Sequence, residues 1–157
     1  MKLGMGDLRW WRAAGAFALL VTAGLGARGW AKQLTLDELK ERVSGASVAE
    51  RPALCIEIAE RQEEAAGRLY AAGDVDKAEA ALADVAAFSE LARDYAIQSH
   101  KHEKQSEIAI RKMARKLLNL KHTFVREDQK QIQDTIDRLE KIRDDLLAAM
   151  FPNGVKK

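Results

Sequence analysis

Apolar side chains recur every three or four positions along most of the chain after residue 34, which is the spacing of one face of an α-helix. One clear stripe contains Ile110, Met113 and Leu117, and another runs from Ile132 to Leu139. Segments with Gly, Pro or clustered polar residues separate the stripes. The pattern predicts an all-α fold, built as an antiparallel helical bundle or hairpins with one or two long helices.

The C-terminal half predicts a coiled-coil-like pair. Residues 110–122 and 128–150 both carry apolar positions spaced by threes and fours, and we expect them to pack antiparallel. Residues 75–123 contain neither Gly nor Pro, which favours one helix of about 70 Å at ~1.5 Å per residue. Its middle, residues 98–107, has no apolar side chain, so we expect it to leave the bundle. The total is then four helices.

Helix boundaries are marked by specific residues near the start of this region. Thr35 and Glu38 have the spacing of a capping box, and Gly45 is placed to end the first helix. The second helix is predicted to begin between Ala49 and Pro52, since proline is tolerated only in a first turn.

Residues 69–78 predict a tight turn between two helices. Gly73 can adopt the left-handed conformation that ends a helix, Asp74 can cap the next one, and Ala78 permits close approach. These residues resemble the turn of a tetratricopeptide hairpin, which implies hairpin geometry and a role in protein interaction. No second copy of the unit follows, so the resemblance does not extend to a repeat architecture.

A second, shorter resemblance lies at the start of the first helix. Leu34, Thr35 and Glu38 resemble the Leu-Thr-x-x-Gln motif of small helical periplasmic chaperones, with glutamate in place of glutamine. The resemblance implies a chaperone-like role. The capping box accounts for the same residues.

The N-terminus has the layout of an export signal. Basic residues precede an uncharged apolar run over residues 13–25, and a small-residue cleavage motif ends at Ala31. We expect residues 1–31 to be a signal peptide, and residues 32–157 to be a single α-helical domain in the periplasm or outside the cell. The alternative is an uncleaved inner-membrane anchor formed by residues 13–30.

Removal of the signal changes the net charge from +2 to −1, so a general attraction to nucleic acid is not expected. The charge is unevenly distributed, at −6 over residues 32–97 and +6 over residues 98–126. The two segments either neutralise each other or leave a basic surface for a partner. The candidate interaction residues are Lys101, Lys104, Arg111, Lys112, Arg115 and Lys116.

Candidate chemistry is sparse. His100, Glu103 and Glu107 share one helical face and are the candidate metal ligands, although Lys101 and Lys104 would oppose a cation and no second helix supplies a matching pair. No cofactor is expected. Cys55, the only cysteine, is either a small buried hydrophobe or the site of an intermolecular disulfide.

No motif for nucleophilic, phosphate-binding or metalloprotease chemistry occurs, so the sequence gives no positive sign of an enzyme. We expect an exported, non-enzymatic helical protein that acts through protein–protein contacts or self-association, as a scaffold, adaptor or chaperone-like module of the cell envelope. The first alternative is a protein that binds a polyanion or an anionic membrane surface through residues 98–126. The second is a metal-binding bundle.

Overall fold

Five α-helices account for most of the residues that the computed structural model describes, which are 34–126 and 129–153. No strand occurs within these residues, and the predicted all-α class is confirmed. The described helices belong to one compact unit. They are α1 (Leu36–Gly45), α2 (Arg51–Ala71), α3 (Val75–Ser99), α4 (Glu103–Lys121) and α5 (Gln129–Met150).

The predicted start and end of α1 are confirmed. The Thr35 hydroxyl accepts from the Glu38 amide at 3.2 Å, and the Glu38 carboxylate accepts from the Thr35 amide at 2.7 Å. These two bonds satisfy amides that have no partner within the helix. Pro52 lies in the first turn of α2, where its missing amide hydrogen removes no helical bond.

The turn between α2 and α3 follows the sequence prediction at Gly73, whose φ is +78°. Asp74 occupies the N-cap position of α3, but its side chain makes no capping bond. Its carboxylate instead accepts from the Lys77 ammonium at 2.6 Å. The predicted cap is therefore correct in position and wrong in its hydrogen bond.

The predicted single helix over residues 75–123 is wrong, because α3 ends at Ser99 and α4 begins at Glu103. His100 and His102 have φ values of 53° and 62°, which reverse the chain within three residues. The Ser99 hydroxyl donates to the Tyr95 carbonyl at 2.7 Å at the end of α3. The turn returns α4 to the bundle, where its apolar stripe is buried.

Cross-helix contacts define how the helices are arranged. Glu107 of α4 meets Arg143 of α5, whereas Lys121 meets Gln133, so the predicted antiparallel α4–α5 pair is confirmed. Glu63 contacts Lys116, and Gly67 faces Leu120, so α2 and α4 run parallel. The α2–α3 and α4–α5 hairpins therefore lie side by side.

The second contact between the hairpins joins α3 to α5. Glu90 pairs with Arg138 and Arg93 pairs with Asp145, so these two helices also run parallel. The interior between the four helices is aliphatic, and alanines on α2 and α3 allow their backbones to approach closely. The Tyr70 and Phe124 rings, 4.6 Å apart, close one end of the bundle.

Candidate interaction surface on helix α4

Helix α4 has a buried face and a basic outward face. Ile110, Met113 and Leu117 are almost completely buried. On the opposite side, Ile108 and Leu118 are 44% and 43% exposed. We call this opposite side the outer face of α4, and it consists of Ile108, Arg111, Lys112, Arg115, Leu118 and Asn119.

The structure separates the six predicted basic residues by their partners. Lys116 is turned toward α2, where its ammonium lies 2.9 Å from the Glu63 carboxylate. The Arg111 Nε lies 3.6 Å from Glu107 Oε1. The acidic first half thus neutralises Lys116, whereas Arg111 is paired within the basic segment itself.

The other four basic candidates are exposed, and no carboxylate of the described residues forms an ion pair with any of them. Lys112 and Arg115 belong to the outer face. Lys104 lies in the first turn of α4, and Lys101 precedes the helix. The basic segment therefore retains exposed charge in the folded chain, most of it along one helix.

Two shallow grooves flank the outer face. One follows α4 and is lined by Ile108, Lys112 and Asn119. The other lies between α4 and α5 and is lined by Leu118, Ile136 and Arg143, with Glu140 as its acidic member. Arg111 and Arg115 border both grooves. Aliphatic side chains are thus combined with cationic ones in one strip of surface, and we call its cations, Arg111, Lys112 and Arg115, the cationic rim.

Glu107 fixes α4 to α5 and helps to hold the rim. Its side chain is 9% exposed and accepts from the Arg143 guanidinium at 3.0 Å. Arg143 is a charged residue within the apolar stripe of α5, and the buried Glu107 carboxylate with which it pairs accounts for its position. Charged groups at such depth are tolerated when they are paired.

The metal hypothesis finds no support in the positions of its three residues. The Glu107 carboxylate forms ion pairs with Arg143 and Arg111. His100 is 84% exposed, and its Nδ1 lies 3.5 Å from the Glu103 carboxylate. Among the described residues, no three His, Cys, Asp or Glu side chains come together as a metal site.

Cys55 belongs to α2, has no exposed surface and is a free thiol. Burial raises its pKa to about 11, although the charge of Arg51 acts in the opposite direction. The sulfur is therefore both inaccessible and protonated at neutral pH. In this placement the thiol packs as a small buried hydrophobe, and a disulfide to a partner chain would require the sulfur to become exposed.

The Cys55 thiol should react with an aromatic disulfide reagent at least about a hundredfold more slowly in the native protein than in denaturant. The thiolate is the reactive nucleophile, and in the native protein the sulfur is buried and protonated. The rate of absorbance change at pH 8 measures both reactions. The Cys55→Ala variant supplies the blank. Equal rates in the two states would contradict the burial of Cys55.

Ile108, Leu118 and Asn119 belong to this surface but are absent from the candidates predicted from the sequence, and Ile108 and Leu118 are its aliphatic members. Their positions could have been identified from helical periodicity, because both fall opposite the stripe formed by Ile110, Met113 and Leu117. The ion pairs of Lys116 with Glu63 and of Arg111 with Glu107 depend on neighbouring side chains. Only the second of these, at i and i+4 from Glu107, has a local signal.

Within the described residues, none of the helices combines the length and the apolar character of a membrane span. The predicted signal peptide or anchor lies outside the described residues. Comparison with family models, curated proteins and solved structures found no match to this chain. The fold itself defines an all-α bundle of two packed hairpins with an additional N-terminal helix, α1.

Proposed function

We propose that this chain is an exported, non-enzymatic helical protein that acts through protein contacts as an adaptor or scaffold, and that the outer face of α4 is its contact surface. The observation that carries the proposal is the combination of half-exposed Ile108 and Leu118 with exposed Lys112 and Arg115 on one face. Aliphatic anchors surrounded by charge suit a partner with its own apolar and acidic side chains. The signal layout of residues 1–31 supports export.

The favoured partner is a protein segment that carries acidic residues beside an apolar stripe, such as an amphipathic helix. A helix of that kind can place its apolar side chains in the two grooves and its carboxylates against the cationic rim. An interface that depended on charge alone would leave the exposed Ile108 and Leu118 side chains without a role. Protein contact therefore uses the whole surface, whereas a simple polyanion would use only its rim.

A photo-crosslinking side chain at Leu118 should join the protein to an envelope partner in its native cells, whereas the same group at Lys141, on α5 outside the two grooves, should not. Reversal of the rim charges in the Lys112→Glu/Arg115→Glu variant should reduce the Leu118 adduct at least about tenfold, since like charges would then face each other across the interface. The matched control, Lys130→Glu/Lys141→Glu, makes the same charge change on exposed residues of α5. Equal adducts in all variants, or none at Leu118, would contradict the proposal.

The second candidate is an anionic membrane surface, which the exposed cations also favour. Each Lys or Arg near such a surface contributes about 1 kcal/mol, and the attraction weakens with salt. Vesicles of phosphatidylglycerol and phosphatidylcholine provide the test. Sedimentation of the protein with these vesicles, abolished in Lys112→Glu/Arg115→Glu and in high salt, together with no protein adduct at Leu118, would replace the proposed function with this one.

A further inference from the structure

The turn between α3 and α4 holds two residues in an unfavourable backbone conformation. His100 and His102 both lie in the left-handed region, with φ values of 53° and 62°. In that region the Cβ atom crowds the backbone, so residues other than Gly adopt it at a cost. The chain has no Gly at either position.

The residues around the turn favour a different local structure. Between residues 98 and 107 there is no Gly and no Pro, and Lys, Glu and Gln are good helix formers. The local preference is thus for one helix that continues from α3 into α4. The packing of the α4–α5 hairpin against α2 and α3 imposes the turn against this preference.

The contacts that impose the turn do not require both hairpins to come from one chain. Glu63 meets Lys116 at 2.9 Å and Arg93 meets Asp145 at 2.8 Å, and these pairs join the N-terminal hairpin to the C-terminal one. The turn at residues 100–102 is the direct covalent link between the two. A second copy could supply the α4–α5 hairpin in the same register.

We propose that the turn at residues 100–102 is a hinge through which two copies of this chain exchange their α4–α5 hairpins. In the exchanged dimer, a single helix runs from α3 into α4, so His100 and His102 regain helical conformation. Residues 100–102 then lie between the two bundles, where a helical segment that is polar on all sides is suited to solvent. Short strained hinges favour such exchange.

Two pairs of hinge substitutions should move dimer formation in opposite directions. Gly at both positions relieves the turn and weakens the continuous helix, whereas Ala strains the turn and strengthens that helix. After refolding at high concentration, the dimerisation constant of His100→Ala/His102→Ala should exceed that of His100→Gly/His102→Gly by at least about a hundredfold, since four hinge residues change in each dimer. Light scattering on a sizing column measures it. Equal constants, or more dimer in the Gly variant, would overturn the proposal.

A charge exchange between α2 and α4 tests whether the dimer forms by exchange. In Glu63→Lys or Lys116→Glu alone, like charges face each other inside every bundle. When the two variants exchange hairpins, one bundle contains both substitutions and the other contains neither, so opposite charges meet in both.

Refolding the two variants together should therefore give mixed dimers at least about tenfold in excess of either homodimer. Native mass spectrometry counts the species, and variants refolded separately and then mixed are the control. A random distribution of pairings, or no dimer in the mixture, would show that hairpins are not exchanged. Because this readout is a rescue, low stability of either variant alone does not prevent the test.

Discussion

Replacing Leu117 with alanine should lower the free energy of unfolding by about 3–5 kcal/mol, the cost of removing a buried leucine side chain and leaving a cavity. Leu117 is 0% exposed and belongs to the central aliphatic cluster. Domains of this kind have total stabilities of about 5–15 kcal/mol. The loss is thus a large fraction of the whole. Denaturant unfolding followed by circular dichroism measures it as a lower midpoint with little change in slope.

Leu118 is the matched control for this substitution. It is the next residue on the same helix, but its side chain is 43% exposed on the outer face. Leu118→Ala should change the free energy of unfolding by no more than about 0.5 kcal/mol. The same variant removes one of the two aliphatic residues of the proposed contact surface. Similar losses of stability at both positions would contradict the orientation of α4.

Features that depend on local geometry could be predicted from the sequence. The capping box of Thr35 and Glu38 involves residues three apart, and the turn at Gly73 depends on one residue that tolerates positive φ. The apolar stripes of α4 and α5 are sufficient to predict their antiparallel pairing. Each of these signals lies within a few turns of helix, so no knowledge of the remaining fold is needed.

The break between α3 and α4 could not be predicted in the same way. Every residue from 98 to 107 is compatible with a helix, and the turn has no glycine to mark it. The turn exists because burial of Ile110, Met113 and Leu117 outweighs the local preference. Tertiary packing commonly overrides propensity in this manner.

The sequence predicts the candidate site as a set of charges, and the structure divides that set. Lys116 is separated from Glu63 by 53 positions in the sequence, so only the parallel packing of α2 and α4 brings them together. Lys112 and Arg115, by contrast, stay exposed, and no carboxylate of the described residues forms an ion pair with either of them, although Glu140 of α5 lines the same groove as Arg115. The exposed charge therefore depends on tertiary structure, although its residue types are visible in the sequence.

The Glu63–Lys116 pair should respond very differently to removal of its two members. Glu63 has 8% of its side chain exposed, whereas Lys116 has 41%. Lys116→Met leaves a buried carboxylate without its counter-charge and should lower the free energy of unfolding by about 2–4 kcal/mol at pH 8. Glu63→Gln leaves a lysine that can turn to water, so its cost should stay within about 1 kcal/mol. Denaturant unfolding of both variants checks this asymmetry.

The cost of Lys116→Met should decrease as the pH falls. Burial raises the pKa of Glu63 above its ordinary value of 4.5, although Lys116 acts in the opposite direction. Because the folded state then binds this proton more tightly than the unfolded state, protonation of Glu63 stabilises the fold, and that contribution is lost as the pH rises through the raised pKa. Loss of Lys116 should raise the pKa of Glu63 further. The pH range over which protonation of Glu63 stabilises the fold then becomes wider.

The double variant Glu63→Gln/Lys116→Met separates this effect from the titration of other carboxylates. It has no titratable group at either position, so the pH dependence of its stability between pH 8 and pH 5 comes from the other titratable groups alone. Lys116→Met should instead recover more than half of its loss over the same range, since a protonated carboxyl needs no counter-charge. A constant loss would mean that Glu63 reaches solvent once Lys116 is gone. In that case Lys116 would act by holding the Glu63 side chain in place between α2 and α4. Neutralisation of the Glu63 charge would not be the reason for the loss of stability.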